Sequence, residues 1–179
     1  MEPAELTLIE QARRGDAEAL AAIVRSRMDA VYRLALAIAG DDADAADIVQ
    51  DSFVAAWRQL PHLRDVVRFD AWLHRIVVNT ARMAVRGRRR RRVREIPDEA
   101  FVSTASIEAR PMPSDGSRLA AALGYLDADQ RALLALHHLE GRGLDEIAAI
   151  LEVPVGTVKS RLYAARRALE TALAREDGR

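Results

Sequence analysis

Two short apolar helical patterns, separated by a tight turn, lie near the C-terminus and constrain the fold of this chain more than any other feature. The first covers residues 143–151, and the second opens with Pro154, Gly156 and Thr157 and continues past Arg161. Two helices of this kind joined by a short turn are typical of a helix-turn-helix, whose second helix can enter the major groove of DNA. The pattern therefore predicts that this part of the chain binds DNA.

The composition favours helices for the rest of the chain. Hydrophobic residues make up 50% of the 179 residues and aromatic residues 4%, with Ala and Leu dominant, which favours helices over strands. The chain has no cysteine, so neither a disulfide nor a cysteine-based zinc site is expected. No apolar run is long enough to span a membrane, and the acidic N-terminus lacks the layout of a signal peptide, so a cytoplasmic location is predicted.

Charge is segregated along the chain although the formal net charge is +0. Residues 71–94 contain nine arginines and no acidic residue, whereas both flanking segments are net acidic. A polyanion is the partner expected for such a basic block. The run from Arg88 to Arg92 is either a phosphate-binding arm or the solvated start of a linker. Repulsion among these arginines argues against a stable helix through Arg92 in the absence of DNA.

Helical periodicity divides the chain into two domains, and no segment shows convincing strand alternation. The first domain spans residues 1–92 and the second spans residues 117–179. Between them, residues 93–116 lose the periodicity and contain three prolines, which predicts a flexible linker. In the second domain, Asp127 and Gln130 have the spacing of a capping box. The fold class predicted is all-α, with two helical domains joined by a flexible linker and a helix-turn-helix in the C-terminal one.

Several motifs occur in a characteristic order across both domains. With them the chain resembles a bacterial extracytoplasmic-function (ECF) sigma factor, a two-domain member of the sigma-70 family. The motifs of the first domain are residues 47–53, 55–57 and 69–79, and those of the second are residues 126–131, 140–141, 146–148, 156–162 and 165–166. One departure concerns Glu152, because the family usually has glycine in this turn. Glycine suits a positive φ, so a glutamate there is expected to be strained.

The resemblance implies that the chain directs RNA polymerase core to promoters and starts transcription. The first domain would bind the clamp helices of the β′ subunit and would read and melt the −10 element. The second would read the −35 element as duplex DNA and meet the β flap. Members of the family are often inhibited by an anti-sigma factor, which could also hold the chain at the membrane.

A polar stripe on the helix predicted at about residues 44–60 is the candidate surface for binding polymerase core. Its residues lie at i, i+3, i+4 and i+7 and therefore share one helix face; they are Asp47, Gln50, Asp51 and Val54. Phe53 and Trp57 are expected on the opposite face, in the core. The alternative is that the acidic residues only favour the helix N-terminus. The resemblance favours the polymerase surface.

The loop after this helix, together with the helix that follows, contains the candidates for −10 DNA. An unstacked strand needs a pocket for an extruded base and cations for its backbone. The resemblance assigns this role to Arg64, Arg68, Asn79 and Arg82. Trp72 lies at helical spacing among apolar residues and is expected in the core, and Arg75 is more suited to a role shared with packing. Asn79 fits helix packing and base contact equally well.

The last helix contains the candidates for −35 DNA, which are Thr157, Lys159, Ser160, Arg161 and Arg166. Arg161 can make a bidentate contact to guanine, whereas Lys159 and Arg166 flank that face and suit phosphate. The apolar residues that begin with Val155 and Val158 have the spacing of a buried stripe on another face.

No pattern of enzyme chemistry is present, so no catalytic residue, cofactor, metal or small-molecule substrate is expected. His137 and His138 are adjacent and point to different helix faces, which makes them a poor metal pair. Two other functions stay open. One is a helix-turn-helix transcriptional regulator that acts without polymerase core, although a receiver domain would need alternating strands. The other is a sigma-mimicking interaction protein, against which the intact Lys159-Ser160-Arg161 face argues.

Overall fold

The computed structural model describes residues 2–95 and 115–177, and every regular element in these two ranges is helical. We call residues 2–95 the first module and residues 115–177 the second module. The α-helices of the first module are α1 (Pro3–Arg13), α2 (Ala17–Ala39), α3 (Asp42–Gln59) and α4 (Phe69–Glu95). Those of the second are α5 (Asp115–Gly124), α6 (Ala128–Leu134), α7 (Leu144–Leu151) and α8 (Val155–Asp177). The predicted all-helical fold is thus confirmed for the described residues.

Three short helical turns connect these elements. Two 3-10 turns, Leu60–His62 and Val66–Arg68, lead from α3 to α4, and a π-helical turn, Ala135–Leu139, follows α6. Asp65 shapes the second 3-10 turn because its carboxylate accepts a hydrogen bond from the Val67 N–H at 3.0 Å. The loop between α3 and α4 is therefore a structured surface rather than an open connection.

The first module is built on a core where α2, α3 and α4 pack against one another. Leu34 and Ile38 stand one turn apart on α2 and meet Ile48 of α3 and Val77 of α4 in the buried set. Burying one such side chain contributes about 1.5–3 kcal/mol. α2 begins where the Asp16 carboxylate accepts the Ala19 N–H at 3.0 Å, so its register is fixed by a local cap.

The second module is organised around α8, which packs against α5, α6 and α7. Its α6 begins with the predicted capping box, which the structure confirms. The Asp127 carboxylate accepts the Gln130 N–H at 2.7 Å, and the Gln130 side chain accepts the Asp127 N–H at 3.0 Å. Two backbone donors that the helix cannot satisfy itself are thereby paired.

Replacing Asp127 with alanine should lower the free energy of unfolding by about 1 kcal/mol, the usual cost of losing an N-cap side chain. The change would appear as a lower urea midpoint in a circular dichroism titration of the full chain. Asp29→Ala is the matched control, because Asp29 is exposed in the middle of α2. An equal loss in both variants would contradict the role of the capping box.

The two modules pack directly against each other. α6 and the π-helical turn lie against α2, and α6 and α7 lie against α4. The buried apolar side chains of the two modules form one cluster. α4 therefore contacts helices of both modules, although it belongs to the first one.

The structure corrects the prediction that no helix runs through Arg92, because α4 continues to Glu95. Arg88, the first arginine of the repelling run, meets a carboxylate, and so do two arginines earlier in α4. Arg88 pairs with Asp44 of α3, and Arg82 and Arg86 both lie against Asp129. Arginine is itself a good helix former. The predicted linker at 93–116 is helical at both margins, and residues 96–114 lie outside the described residues.

Candidate nucleic-acid and protein interfaces

The polar stripe on α3 is fully at the surface, as the sequence predicted, but it has a fifth member. Asp47, Gln50, Asp51 and Val54 are all exposed. Trp57 is 61% exposed, so the prediction that it belongs to the core was wrong. We call these five residues the α3 face. A large exposed aromatic within a polar surface is typical of an anchor for a protein partner.

The phase of the buried stripe explains why Trp57 is outside. Ile48, Ser52, Ala56 and Leu60 follow one another at four-residue steps, and all four are buried. Trp57 lies about 100° further round the helix than Ala56, on the side of Gln50 and Val54. Ser52 is the residue in the sequence that could have indicated this phase. It is small enough to be buried in line with Ile48 and Ala56, and a buried stripe through these three residues leaves Trp57 outside.

A cavity of about 410 Å³ lies between the loop after α3 and the beginning of α4. Arg64 and Arg68 line it, and Trp72 contributes to its wall while packing against Phe69 with ring centroids 5.6 Å apart. Trp72 is buried, as predicted. Ala149 of α7 also lines this cavity, so the second module forms part of its wall. Its volume is in the range of small-ligand pockets. Asp65 also lines it and forms an ion pair with Arg68 at 3.4 Å, so the positive charge of the lining is partly neutralised.

The other two −10 candidates lie further along α4. Asn79 is exposed, which agrees with a contact surface rather than with helix packing. The Arg82 side chain is only 17% exposed and pairs with Asp129 of the second module. The structure therefore brings Arg64 and Arg68 together at the cavity and places Asn79 and Arg82 as a second group.

α8 presents one face to the core of its module and another to solvent. Val158, Leu162 and Ala165 are buried, whereas Val155, expected in the same stripe, is 38% exposed because it is the first residue of the helix. The candidate DNA-reading residues are exposed apart from Thr157, which is half-buried; the exposed ones are Lys159, Ser160, Arg161 and Arg166.

Hydrogen bonds within the second module orient only some of these candidate side chains. Ser160 donates a hydrogen bond from its hydroxyl to the Thr157 carbonyl at 3.0 Å, and the Arg166 Nε–H donates to His138 at 3.3 Å. Within the part of the chain that the structure describes, neither Lys159 nor Arg161 forms an ion pair. The Arg161 guanidinium is thus available for bidentate contact with a base or phosphate.

The turn before α8 has the strained backbone that the sequence predicted. Glu152 adopts φ 55° and ψ 44°, the left-handed region, where a side chain is unfavourable. It is the single non-glycine residue with positive φ in the described ranges. Its carboxylate forms an ion pair with Arg75 of α4. The strained residue of the helix-turn-helix is therefore also a contact with the first module.

Glu140 makes a second, more buried contact between the modules. Its Oε2 lies 3.4 Å from His74 Nε2, and its Oε1 lies 3.8 Å from a guanidinium nitrogen of Arg33. The hydrogen bond from His74 lowers the pKa of Glu140 below its ordinary value, although burial acts in the opposite direction. Glu140 is thus held as a carboxylate in the interface.

Neither a metal centre nor a bilayer-spanning element is found in the described parts of the chain. No group of histidine and carboxylate side chains there could hold a metal ion. None of the helices in these ranges has both the length and the apolar character needed to cross a membrane. What the structure presents is a pair of helical modules with a helix-turn-helix, an arginine-lined cavity and an exposed face on α3 that contains an aromatic residue. These features define a two-module helical protein of the helix-turn-helix class.

Comparison with known proteins gives the family. The model of Sigma-70 region 2 matches residues 23–91, and the model of Sigma-70 region 4 matches residues 117–169. The RNA polymerase sigma-H factor of Pseudomonas aeruginosa is 32% identical over 184 residues, covering 93% of this chain and 92% of that relative. The chain belongs to the ECF group of the sigma-70 family.

Two further relatives agree with this assignment. The ECF RNA polymerase sigma factor SigE of Mycolicibacterium smegmatis is 35% identical over 160 residues, which cover 86% of this chain and 61% of the length of that relative. The solved structure of the sigma factor RpoE from Bartonella quintana, in complex with the anti-sigma factor NepR, has a TM-score of 0.66 at 28% identity. The aligned region covers 84% of this chain and 94% of the solved chain.

Proposed function

We propose that this chain is a promoter-specificity subunit that directs RNA polymerase core to its start sites. The observation that carries the proposal is the presence, in one chain and in family order, of a protein-facing surface, an arginine-lined cavity and a helix-turn-helix. Acting as an initiation factor, the chain supplies recognition, and the polymerase supplies the catalysis. A two-domain regulator with a receiver is disfavoured, because residues 2–95 contain no strand.

The α3 face binds polymerase core in this proposal. Asp47 and Asp51 provide negative charge for a basic partner, Gln50 provides hydrogen bonds, and Val54 and Trp57 provide apolar area that is desolvated on binding. Aromatic anchors surrounded by polar residues are the usual source of affinity in protein interfaces. The β′ clamp helices are the proposed partner of this face, and the β flap is the proposed partner of the second module.

The cavity and α4 act on the −10 element. The space of about 410 Å³ next to Arg64 and Arg68 can receive a base extruded from the duplex, since flipping brings a base into a pocket while cations hold its backbone. Asn79 and Arg82, further along α4, contact the same strand outside the cavity. Each of these arginines positions the phosphates, and the cavity reads the base.

α8 reads the −35 element as duplex DNA. Arg161 contacts a guanine edge in the major groove, Thr157 and Ser160 hydrogen-bond neighbouring edges, and Lys159 and Arg166 contact phosphates. We also propose that an anti-sigma factor inhibits the chain by covering the α3 face, since the Bartonella relative was solved with such a partner. The polymerase places its site of action in the cytoplasm, and a membrane-bound anti-sigma factor could hold it there at the membrane.

Reconstituted holoenzyme should start transcription from a promoter with −35 and −10 elements, whereas the free chain should bind the same DNA poorly. The free chain has a short DNA-reading face on α8 and an acidic N-terminal part, which contains 13 acidic and 8 basic residues in positions 1–70. Run-off transcription on genomic fragments and a binding titration at physiological salt measure the two properties. Tight specific binding by the free chain, or no transcripts from a folded chain with core, would contradict the proposal.

A further inference from the structure

The loop between α3 and α4, residues 60–68, lines the arginine cavity but is weakly held by its own hydrogen bonds. It contains two 3-10 turns, which are short and have poorer hydrogen-bond geometry than an α-helix. Leu63, Arg64 and Asp65 lie between these turns and belong to neither of them. All three residues line the cavity. The shape of the cavity therefore depends on what holds residues 63–65 in place.

Arg13, the last residue of α1, holds this segment from outside the loop. Its guanidinium Nη1–H donates a hydrogen bond to the Leu63 carbonyl at 3.1 Å. Its Nη2 pairs with the Glu10 carboxylate, one turn earlier in α1, at 2.9 Å, so a second contact orients the guanidinium. The Leu63 N–H, by contrast, donates to the Leu60 carbonyl, and that bond stays inside the loop. The bond from Arg13 ties the loop to another helix.

α1 is itself fixed to the rest of the first module. Ile9 and Ala12 are buried in the core, and α1 packs against α2 and against both 3-10 turns. Arg27 of α2 pairs with Glu5 of α1 and also, at 2.9 Å, with Asp70 in the first turn of α4. α1 is thus linked both to the loop and, through Arg27, to the beginning of the helix that follows the loop.

We propose that Arg13 is a positioning residue for the −10 element and that α1 preorganises the loop that receives the extruded base. This inference rests on the proposed function, because it takes the cavity as the pocket for that base. A loop that is already ordered loses less conformational entropy when the DNA strand binds. Arg13 acts through Leu63, which keeps the neighbouring Arg64 at the cavity. The match to the region 2 model covers residues 23–91 and does not include α1.

Hydrogen exchange in the full chain measures the order of the loop without polymerase or DNA. Arg13→Ala should make the amides of residues 60–68 exchange about tenfold faster, the size expected for losing one hydrogen bond to a charged group. Exchange in the middle of α2 should not change. Arg14→Ala is the matched control, because it removes the same charge from the same end of α1. Arg14 is exposed, and in the described residues its side chain has no contact with the loop.

Two further variants separate the hydrogen bond from a general loss of packing. Arg13→Lys keeps a charged donor and should restore most of the protection of residues 60–68. Glu10→Gln removes the carboxylate that orients Arg13 and should act in the same direction as Arg13→Ala, with a smaller effect. It keeps the test valid if Arg13→Ala fails to fold.

Binding by holoenzyme then tests whether the order of the loop matters for DNA. The probes are two fragments of a promoter recovered by run-off transcription: a fork whose −10 non-template strand is single-stranded, and a duplex that contains the −35 element. Arg13→Ala should lower the affinity for the fork about tenfold and should leave the affinities for the −35 duplex and for polymerase core unchanged. A merely structural defect would lower all three affinities.

Exchange rates equal to those of Arg14→Ala would overturn the inference. So would faster exchange with an unchanged affinity for the fork, or an equal loss of affinity for the fork and the −35 duplex. If the unchanged chain starts no transcription with core, the proposed function fails. If the unchanged chain transcribes and Arg13→Ala behaves like its control, only this inference fails.

Discussion

Replacing Trp57 with alanine is expected to weaken the binding of polymerase core by about 2 kcal/mol, or roughly 30-fold in Kd, as for a central aromatic anchor. Trp57 is more than half exposed in the free chain, so its removal takes little from the core of the first module. Asp51→Arg should weaken core binding further, because it places a positive charge on a face proposed to meet a basic partner. A pull-down with purified core, followed by titration of labelled protein, measures both effects.

Met83→Ala is a suitable control for the tryptophan variant. Met83 is 66% exposed and apolar, but it lies on α4 and outside the α3 face. Core binding by this variant should equal that of the unchanged chain. If Trp57→Ala and Met83→Ala bound core equally well, the α3 face would not be the polymerase-binding surface.

Arg161→Ala is expected to lower the affinity of holoenzyme for a −35 element by about 1–3 kcal/mol, roughly 5- to 150-fold, the usual contribution of a bidentate contact to a base. The side chain is exposed, so the fold of α8 should persist. Promoter binding by holoenzyme and transcription from mutated −35 sequences would measure the loss. The loss should be largest on the preferred sequence and small on a sequence that lacks the contacted guanine.

The same two assays separate the two modules when both variants are run in parallel. Arg161→Ala should keep core binding and lose −35 recognition, whereas Asp51→Arg should lose core binding and keep the DNA-reading surface of α8 intact. Equal loss of core binding and −35 recognition in a folded variant would contradict the assignment of core binding to the first module and −35 recognition to the second.

Local patterns in the sequence were sufficient where a single turn of chain decides the structure. The spacing of Asp127 and Gln130 identified a capping box because both partners are three residues apart. Glu152 was expected to be strained because its place in a tight turn demands a positive φ, and the structure has it there. The helix-turn-helix likewise depends on short-range periodicity.

Features that depend on distant partners were not accessible in the same way. The extent of α4 was underestimated in part because Asp44, the partner of Arg88 in the arginine run, comes from another helix. The exposure of Trp57 follows from the direction in which α3 packs, which its apolar residues alone leave ambiguous. The docking of Glu140 against His74 joins residues 66 positions apart in sequence and has no local signature.

Lys159 is the one lysine of the chain, and it is exposed on α8. Amine-directed reagents that spare the terminal amino group will therefore react at α8, the helix proposed to read DNA, and at no other side chain. Coupling the protein to a sensor surface through amines would block the face of α8 that is proposed to contact DNA. An acyl group at this position would instead serve as a site-specific reporter of duplex contact.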